Sequence, residues 1–178
     1  MKIEFNNKSS KEYIDEVFYV ATYASKFRRR PDRRVYQLTK YYTFYLIFSI
    51  IYLFILGMLY LTYKESIFVS AFVMFFFLLL LVILLLIKNN KRIKYFLNNE
   101  ITKTIEFNKD TIKYIDKHKT LTIEWSNIKK ILINKYSIIF LPDNNMLPFI
   151  SVDVKYLNKI MEAIKKYDKE KLVINKNK

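Results

Sequence analysis

Two uncharged runs dominate the sequence: YYTFYLIFSIIYLFILGMLYLTY at Tyr41–Tyr63 and IFVSAFVMFFFLLLLVILLLI at Ile67–Ile87. A helix needs about 20 apolar residues to cross the hydrocarbon core of a bilayer, and each run is long enough. Because a backbone in lipid must satisfy its own hydrogen bonds, we predict two transmembrane helices. Only Lys64, Glu65 and Ser66 separate the runs, so the two helices are expected to form an antiparallel hairpin.

Basic residues flank this hairpin on both sides. The formal net charge is +15; residues 1–40 carry ten Lys and Arg against five Asp and Glu, and residues 88–178 carry twenty against ten. Basic residues close to a membrane span tend to stay on the cytoplasmic side. We therefore predict a multi-pass plasma membrane protein with both termini in the cytoplasm.

Arginine is concentrated just before the first apolar run, where five of the six arginines lie between Arg28 and Arg34. One interpretation is a topology determinant that keeps this end inside. A second is a patch that binds anionic headgroups at the inner leaflet. Nucleic-acid binding is third, since a segment next to the membrane meets lipid phosphate first. The predicted headgroup contacts are Arg28, Arg29, Arg30, Arg33, Arg34, Lys88, Lys91 and Arg92.

The segment before the arginines is predicted to contain a strand and a helix. Lys2–Phe5 alternates polar and apolar residues, as a short strand does. Apolar residues then recur at helical spacing, which predicts an amphipathic helix over residues 11–27, with Ser9 as its N-cap. Its polar face is expected to carry Glu12, Asp15 and Glu16, which anionic lipid would repel, so packing on a cytoplasmic domain is favoured over lying on the membrane.

After the second run, the period of the pattern changes from helix to strand. Turn-prone stretches separate six short segments rich in β-branched and aromatic residues. The predicted strands are Ile101–Phe107, Thr111–Ile115, Thr120–Trp125, Ile128–Ile133, Ser137–Leu141 and Met146–Ile150, the last at an edge because Pro148 lacks an amide donor. A final helix follows, with an apolar stripe from Val154 to Ile164. The pattern indicates a small β-barrel or sandwich capped by a helix.

Most reactive chemistry is excluded by composition. The chain has no cysteine, one histidine (His118) and one glycine (Gly57), so thiol chemistry, His-rich metal sites and glycine-rich phosphate loops are ruled out. Ser126 has no base partner beyond His118 for a hydrolytic triad. Trp125 is interpreted as a core residue, and Gly57 is expected to admit close approach of the second helix. We predict no enzyme activity, no cofactor and no metal.

The chain resembles the YcxB-like family of small bacterial membrane proteins. The resemblance rests on the two-span hairpin, on the segment EWSNIKKI at Glu124–Ile131, and on Leu147, Pro148 and Phe149 ahead of the last helix. It implies a bacterial plasma membrane and a C-terminal domain similar to a pleckstrin-homology (PH) fold. Such a fold has seven strands where six are counted after Asn99, so we expect residues 2–5 to supply the seventh.

The fold class expected is therefore an α+β membrane protein: a two-helix transmembrane hairpin plus a small cytoplasmic PH-like β-barrel or sandwich capped by a C-terminal helix. The expected divisions are residues 1–40, the hairpin at residues 41–87, and residues 88–178. The function expected is that of a non-enzymatic, membrane-tethered module that binds a protein, a peptide or anionic lipid, and no nucleic acid. The alternative is immunity against a bacteriocin or secreted toxin.

Overall fold

Two long apolar helices and two four-stranded sheets make up this α+β chain. The structure, a computed structural model, describes residues 1–7, 10–98, 101–116, 120–144 and 147–176. It divides into two compact units. The first unit combines Met1–Val35 with Tyr95–Lys178, and the second unit is Tyr36–Lys94. The apolar helices are thus inserted, in sequence, between two parts of one β-rich unit.

The first sheet contains the N-terminal strand. All its pairings are antiparallel in the order β1-β2-β3-β4. Its strands are β1 (Lys2–Asn7), β2 (Ile101–Phe107), β3 (Thr111–Ile115) and β4 (Thr120–Glu124). The register of β1 with β2 runs from Lys2 opposite Glu106 to Asn7 opposite Ile101. The prediction that residues 2–5 add a strand to the C-terminal segment is confirmed.

The second sheet has the order β7-β6-β5-β8. Its strands are β5 (Ile128–Ile133), β6 (Ser137–Pro142), β7 (Ile150–Asp153) and β8 (Val173–Asn175). Every residue of β6 is buried, which explains its nearly continuous apolar sequence. The short strand β8 pairs in parallel with β5, and it places the end of the described chain at an edge of this sheet.

The last predicted strand is displaced in the structure. Strand β7 begins at Ile150, and Leu147–Phe149 precede it outside any strand; Met146 lies outside the described residues. Pro148 lacks an amide donor and restricts the residue before it, so pairing starts only beyond it. The predicted strand at Met146–Ile150 was therefore wrong for Leu147–Phe149. Ile150 is in a strand, and that strand lies at an edge of its sheet, as predicted.

Three helices belong to the first unit: α1 (Lys11–Thr22), α2 (Ala24–Arg29) and α5 (Leu157–Lys166). The single helix predicted over residues 11–27 is divided at Tyr23, whose φ of −113° is not helical. The N-cap is Ser10, whose Oγ accepts a hydrogen bond from the Tyr13 amide at 3.1 Å. The residue predicted as the cap, Ser9, lies outside the described residues.

The core of the first unit lies between the two sheets and under α5. It contains Phe5 from β1, Phe107 from β2 and Phe140 from β6, each at most 2 % exposed, together with Ile160 and Ile164 from α5. Trp125 packs here as predicted. It is 4 % exposed, and its indole Nε1 donates to the Asn108 carbonyl at 2.9 Å. The N-terminal strand therefore completes the same core as the strands that follow the apolar helices.

The second unit contains α3 (Leu38–Tyr63) and α4 (Ser66–Asn98) as far as Lys94; the last turn of α4 belongs to the first unit. Both helices are long and apolar enough to cross a membrane. They run antiparallel, because Tyr52 stacks on Phe75 with ring centroids 4.4 Å apart, while the Asn89 side-chain amide donates to the Thr39 hydroxyl at 3.0 Å. Lys64 ends α3 in the left-handed conformation, with φ of 54°, and reverses the chain.

Gly57 does not serve close packing between these helices. A Cβ built on Gly57 would meet no described atom within 4 Å, so α4 does not approach the α3 backbone at that point. The prediction that Gly57 admits close approach of the second helix was wrong. Helix contact is made instead by larger side chains such as Tyr52 and Phe75.

Candidate functional site

Four of the predicted arginines are exposed in a turn that joins α2 to α3. Helix α2 ends at Arg29, and α3 begins at Leu38. Within this connection the Arg33 amide donates to the Arg30 carbonyl at 3.2 Å, which closes a turn over Pro31 and Asp32. The side chains on both sides of the turn are exposed: Arg29, Arg30, Arg33 and Arg34. We call this set the arginine turn.

Arg28 is adjacent in sequence but has a different role. It is 8 % exposed, its Nε donates to the Pro142 carbonyl at 3.0 Å, and its Nη2 donates to the Leu147 carbonyl at 3.3 Å. The guanidinium thus fastens α2 to the end of β6 and to the loop that follows. Because its donors are directed at the interior of the unit, we leave Arg28 out of the proposed headgroup contacts.

Lys176, which sequence reasoning missed, connects the C-terminal strand to the arginine turn. Its amide continues the pairing of β8 by donating to the Ile133 carbonyl at 2.9 Å. Its Nζ donates to the Arg33 carbonyl and lies 4.8 Å from the centre of the Phe27 ring. Burial lowers the pKa of this ammonium to about 8, although the carboxylates of Asp32 and Glu16 act in the opposite direction.

The remaining predicted contacts belong to the second unit. Lys88, Lys91 and Arg92 are exposed on α4, just beyond the last residue of the apolar run. Asn89 is 4 % exposed and bonded to Thr39 on α3. This bond places the basic end of α4 beside the start of α3, so the cations of the second unit lie at one end of the hairpin.

The N-terminal helix is held to the second sheet by buried polar contacts. Glu16 is 3 % exposed; its carboxylate accepts from the Ser137 hydroxyl at 2.8 Å and from the Tyr136 amide at 3.1 Å. The Tyr13 hydroxyl lies 3.0 Å from the Ser151 hydroxyl. Burial raises the pKa of Tyr13 to about 12, which keeps this hydroxyl protonated at neutral pH. The expectation that the amphipathic helix packs on the β-rich unit is confirmed.

We expect a pH dependence from Glu16. Burial raises the pKa of its carboxyl above the usual 4.5, even though the Ser137 and Tyr136 hydrogen bonds favour the charged form. The folded chain then binds the proton more tightly than the unfolded chain. The contribution of Glu16 to the free energy of unfolding is therefore greatest below the unfolded pKa and is lost as pH rises through the folded pKa.

Glu16→Gln should abolish that loss, because the amide keeps an acceptor without a titrating charge. The measurement is urea unfolding of the full chain on both sides of this pH window, followed by the fluorescence of Trp125. The matched control is Glu12→Gln, an exposed glutamate one turn earlier on α1. An unchanged pH profile in Glu16→Gln would contradict the assignment.

A groove of about 560 Å³ lies beside Trp125 in the first unit. Apolar Ile128 and Leu172 line part of it, and its charged lining residues are three lysines and three carboxylates: Lys109, Lys169, Lys171, Asp110, Glu124 and Asp168. This balance of charge gives no preference for an anion, so the groove is a poor candidate for headgroup binding. Sequence reasoning missed the groove because it combines loops distant along the chain.

The residues weighed for catalysis or metal binding are not assembled into a site. Among the residues that the structure describes, no group of three metal-ligating side chains lies together. The Ser126 hydroxyl donates to the Glu124 carboxylate at 3.1 Å, on the exposed side of the β4–β5 connection. His118 lies outside the described residues.

Comparison of the chain with protein-family models, curated proteins and solved structures finds no match. The resemblance to YcxB-like proteins thus stays a prediction. The features of the chain that bear on its function are the arginine turn, the apolar hairpin and the unit that holds the turn in place.

Proposed function

We propose that this chain is a non-enzymatic membrane-anchored binding module. In this proposal the hairpin of α3 and α4 spans the bacterial plasma membrane, and the first unit lies at its cytoplasmic face. The exposed cations next to the hairpin contact anionic lipid headgroups. The observation that carries the proposal is the arginine turn, whose four guanidinium groups are exposed only a few residues before α3 begins.

The surface of the second unit supports the membrane location. Large apolar side chains on both helices are 63–70 % exposed: Phe44, Phe54, Leu61, Ile67, Phe77 and Leu84. Soluble monomers rarely expose so continuous an apolar surface. In a bilayer the same surface is solvated by lipid tails, and the helices satisfy their own backbone hydrogen bonds.

The distribution of charge supports the orientation. In sequence, the arginine turn precedes α3, and Lys88, Lys91 and Arg92 follow the apolar run of α4, so basic clusters flank the hairpin on both sides. By the positive-inside tendency both ends are cytoplasmic. Each base near an anionic leaflet contributes about 1 kcal/mol of attraction.

We also propose a PH-like fold for the first unit. In support, a four-stranded antiparallel sheet is followed by the antiparallel strands β5, β6 and β7, and helix α5 covers the core with Ile160, Ala163 and Ile164. The parallel strand β8 is an addition to that pattern. Folds of this kind are scaffolds, so the binding role is argued from the exposed cations rather than from the fold.

The buried polar side chains of the first unit make structural hydrogen bonds, and this favours a binding role over catalysis. Tyr13, Glu16 and Arg28 are buried, and each holds an N-terminal helix to the second sheet or to the loop beyond β6. Their hydrogen bonds are directed at structural partners within the unit. The exposed groups next to the hairpin are cations suited to contacting anions.

Charge removal in the arginine turn tests the function. The test variant carries glutamine at Arg29, Arg30, Arg33 and Arg34, and the control carries glutamine at four exposed lysines elsewhere: Lys159, Lys165, Lys166 and Lys171. Both variants lose the same net charge. We expect the preference of the full chain for phosphatidylglycerol over phosphatidylcholine to fall by about tenfold or more in the test variant, given about 1 kcal/mol per base.

The preference is measured by electron paramagnetic resonance of spin-labelled lipids in bilayers that contain the full chain. The readout is the fraction of each lipid that is motionally restricted by the protein. Equal losses in the test and control variants would show a general charge effect and contradict a localised headgroup site. No loss in the test variant would exclude the arginine turn from lipid contact.

A further inference from the structure

The arginine turn is held in a fixed conformation, unlike a flexible basic run. Its own backbone closes it through the bond from the Arg33 amide to the Arg30 carbonyl. On its N-terminal side, the Arg30 amide donates to the Lys26 carbonyl at 2.9 Å, and Arg28 is anchored to two carbonyls of the second sheet region. On its C-terminal side, the Lys176 ammonium donates to the Arg33 carbonyl.

The contact from Lys176 depends on the whole first unit. Strand β8 carries Lys176 and is fixed by parallel pairing with β5, from Ile131 opposite Val173 to Ile133 opposite Asn175. The Lys176 ammonium also lies over the Phe27 ring, which is completely buried. The turn is therefore tied at one end to α2 and at the other to the second sheet.

We propose that the arginine turn is a site for a lipid headgroup with two neighbouring phosphates, and that Lys176 is the positioning residue that holds the turn in its binding form. This inference rests on the proposed function and makes it more specific. The turn separates two pairs of exposed guanidinium groups, Arg29 with Arg30 and Arg33 with Arg34. One pair precedes the closed turn and one follows it, so each pair is available to one of two phosphates on a headgroup.

The chemistry of arginine favours a headgroup with two phosphates over the general negative charge of an anionic membrane surface. A guanidinium is planar and donates two parallel hydrogen bonds to one phosphate. A mobile run would use such groups as point charges, and its affinity would follow total charge density alone. A turn already ordered avoids part of the entropy cost of arranging the side chains around one ligand. Asp32 at the turn interacts with Lys176, which partly offsets its repulsion of phosphate.

The experiment uses the full chain in bilayers with two matched compositions. Cardiolipin supplies two phosphates per molecule, and it is present at half the molar fraction of phosphatidylglycerol in the other bilayer, so total phosphate charge is equal. The readouts are the restricted fraction of spin-labelled lipid and hydrogen exchange of the amides at residues 30–35. The variants are Lys176→Met, which replaces the ammonium with an unbranched apolar side chain, and Lys176→Arg, which keeps a donor.

We expect the wild type to retain cardiolipin several-fold over phosphatidylglycerol per phosphate. Lys176→Met should accelerate exchange at residues 30–35 and abolish that preference while still selecting anionic over neutral lipid. Lys176→Arg should restore both readouts. Titration separates positioning from general stability, because the main groups facing Lys176 are Asp32, Glu16 and the Arg33 carbonyl. The protection of these amides, measured relative to intrinsic exchange at each pH, should fall near pH 8 in the wild type and not in Lys176→Arg.

Several outcomes would overturn this inference. Equal retention of the two lipids per phosphate by the wild type would mean that only charge density is sensed. Unchanged exchange in Lys176→Met would remove Lys176 as a positioning residue. If that variant loosens the turn but keeps the cardiolipin preference, the ordered turn is not the source of selectivity. Failure of the proposed function is a separate result, since the wild type would then favour no anionic lipid over phosphatidylcholine.

Discussion

Replacement of Phe5 by alanine is expected to lower the free energy of unfolding of the first unit by about 3–5 kcal/mol, the usual loss for a large aromatic side chain in a core. Phe5 is 2 % exposed, and its ring meets Tyr156 edge to face with centroids 4.6 Å apart. Its neighbours in the core come from strands that follow the apolar hairpin. The substitution leaves a cavity bounded by elements that cannot move independently.

The only tryptophan of the chain makes the measurement specific. Trp125 lies in the core of the first unit, so its fluorescence during denaturant unfolding reports on that unit while the hairpin stays in a micelle. The control is Phe77→Ala, which removes a ring that is 65 % exposed on α4. If Phe5→Ala unfolds at the same denaturant concentration as the wild type, the N-terminal strand is not part of the core.

In sequence, the apolar hairpin lies between strands β1 and β2, so the contribution of Phe5 to the core depends on pairing between distant segments. Strand β1 must pair with β2 across the whole hairpin, and closing so long a loop costs conformational entropy. In the folded chain the bond between Asn89 and Thr39 holds the two ends of the hairpin together, and a hairpin formed in this way would shorten the loop that β1 and β2 must close. Formation of the hairpin first would therefore make assembly of the first sheet a more local event.

The sequence predicts the elements whose period is regular. The apolar runs at Tyr41–Tyr63 and Ile67–Ile87 correspond to helices α3 and α4, and α4 continues beyond its run to Asn98. Alternation in Thr120–Glu124 and β-branched composition in Ile128–Ile133 correspond to β4 and β5. Each of these patterns reflects which faces of the helix or strand are apolar, and this can be seen from the residues of that one segment.

Features that depend on distant partners could not be predicted in this way. The N-terminal helix is divided at Tyr23, and the helical spacing of apolar residues continues through that position without marking the break. Lys176 is one of many lysines, and nothing near it in the chain indicates that its ammonium reaches the Arg33 carbonyl. Gly57 suggested close helix contact, yet a Cβ built there would meet no described neighbour within 4 Å.

Arg28 and Arg29 are adjacent arginines, and the sequence alone does not show that one is buried and the other exposed. A second large effect is expected from this difference. Arg28→Ala should lower the free energy of unfolding of the first unit by about 3 kcal/mol, since hydrogen bonds from a charged group contribute about 1.5–3 kcal/mol and two carbonyls lose their donor. Arg29→Ala, its immediate neighbour, should change the same quantity by less than about 0.5 kcal/mol because its side chain is exposed.

Trp125 fluorescence during urea unfolding gives the free energy of unfolding of both variants. Their preference for anionic lipid is a second, independent measurement that should distinguish them. Arg29→Ala should weaken the preference for anionic lipid and leave the free energy of unfolding unchanged. Arg28→Ala should lower the free energy of unfolding and leave the lipid preference unchanged in conditions where the unit stays folded. Equal stability losses in the two variants would contradict the burial of Arg28. The opposite roles arise because Arg28 is directed towards the Pro142 and Leu147 carbonyls, while the next residue ends α2 with its side chain exposed.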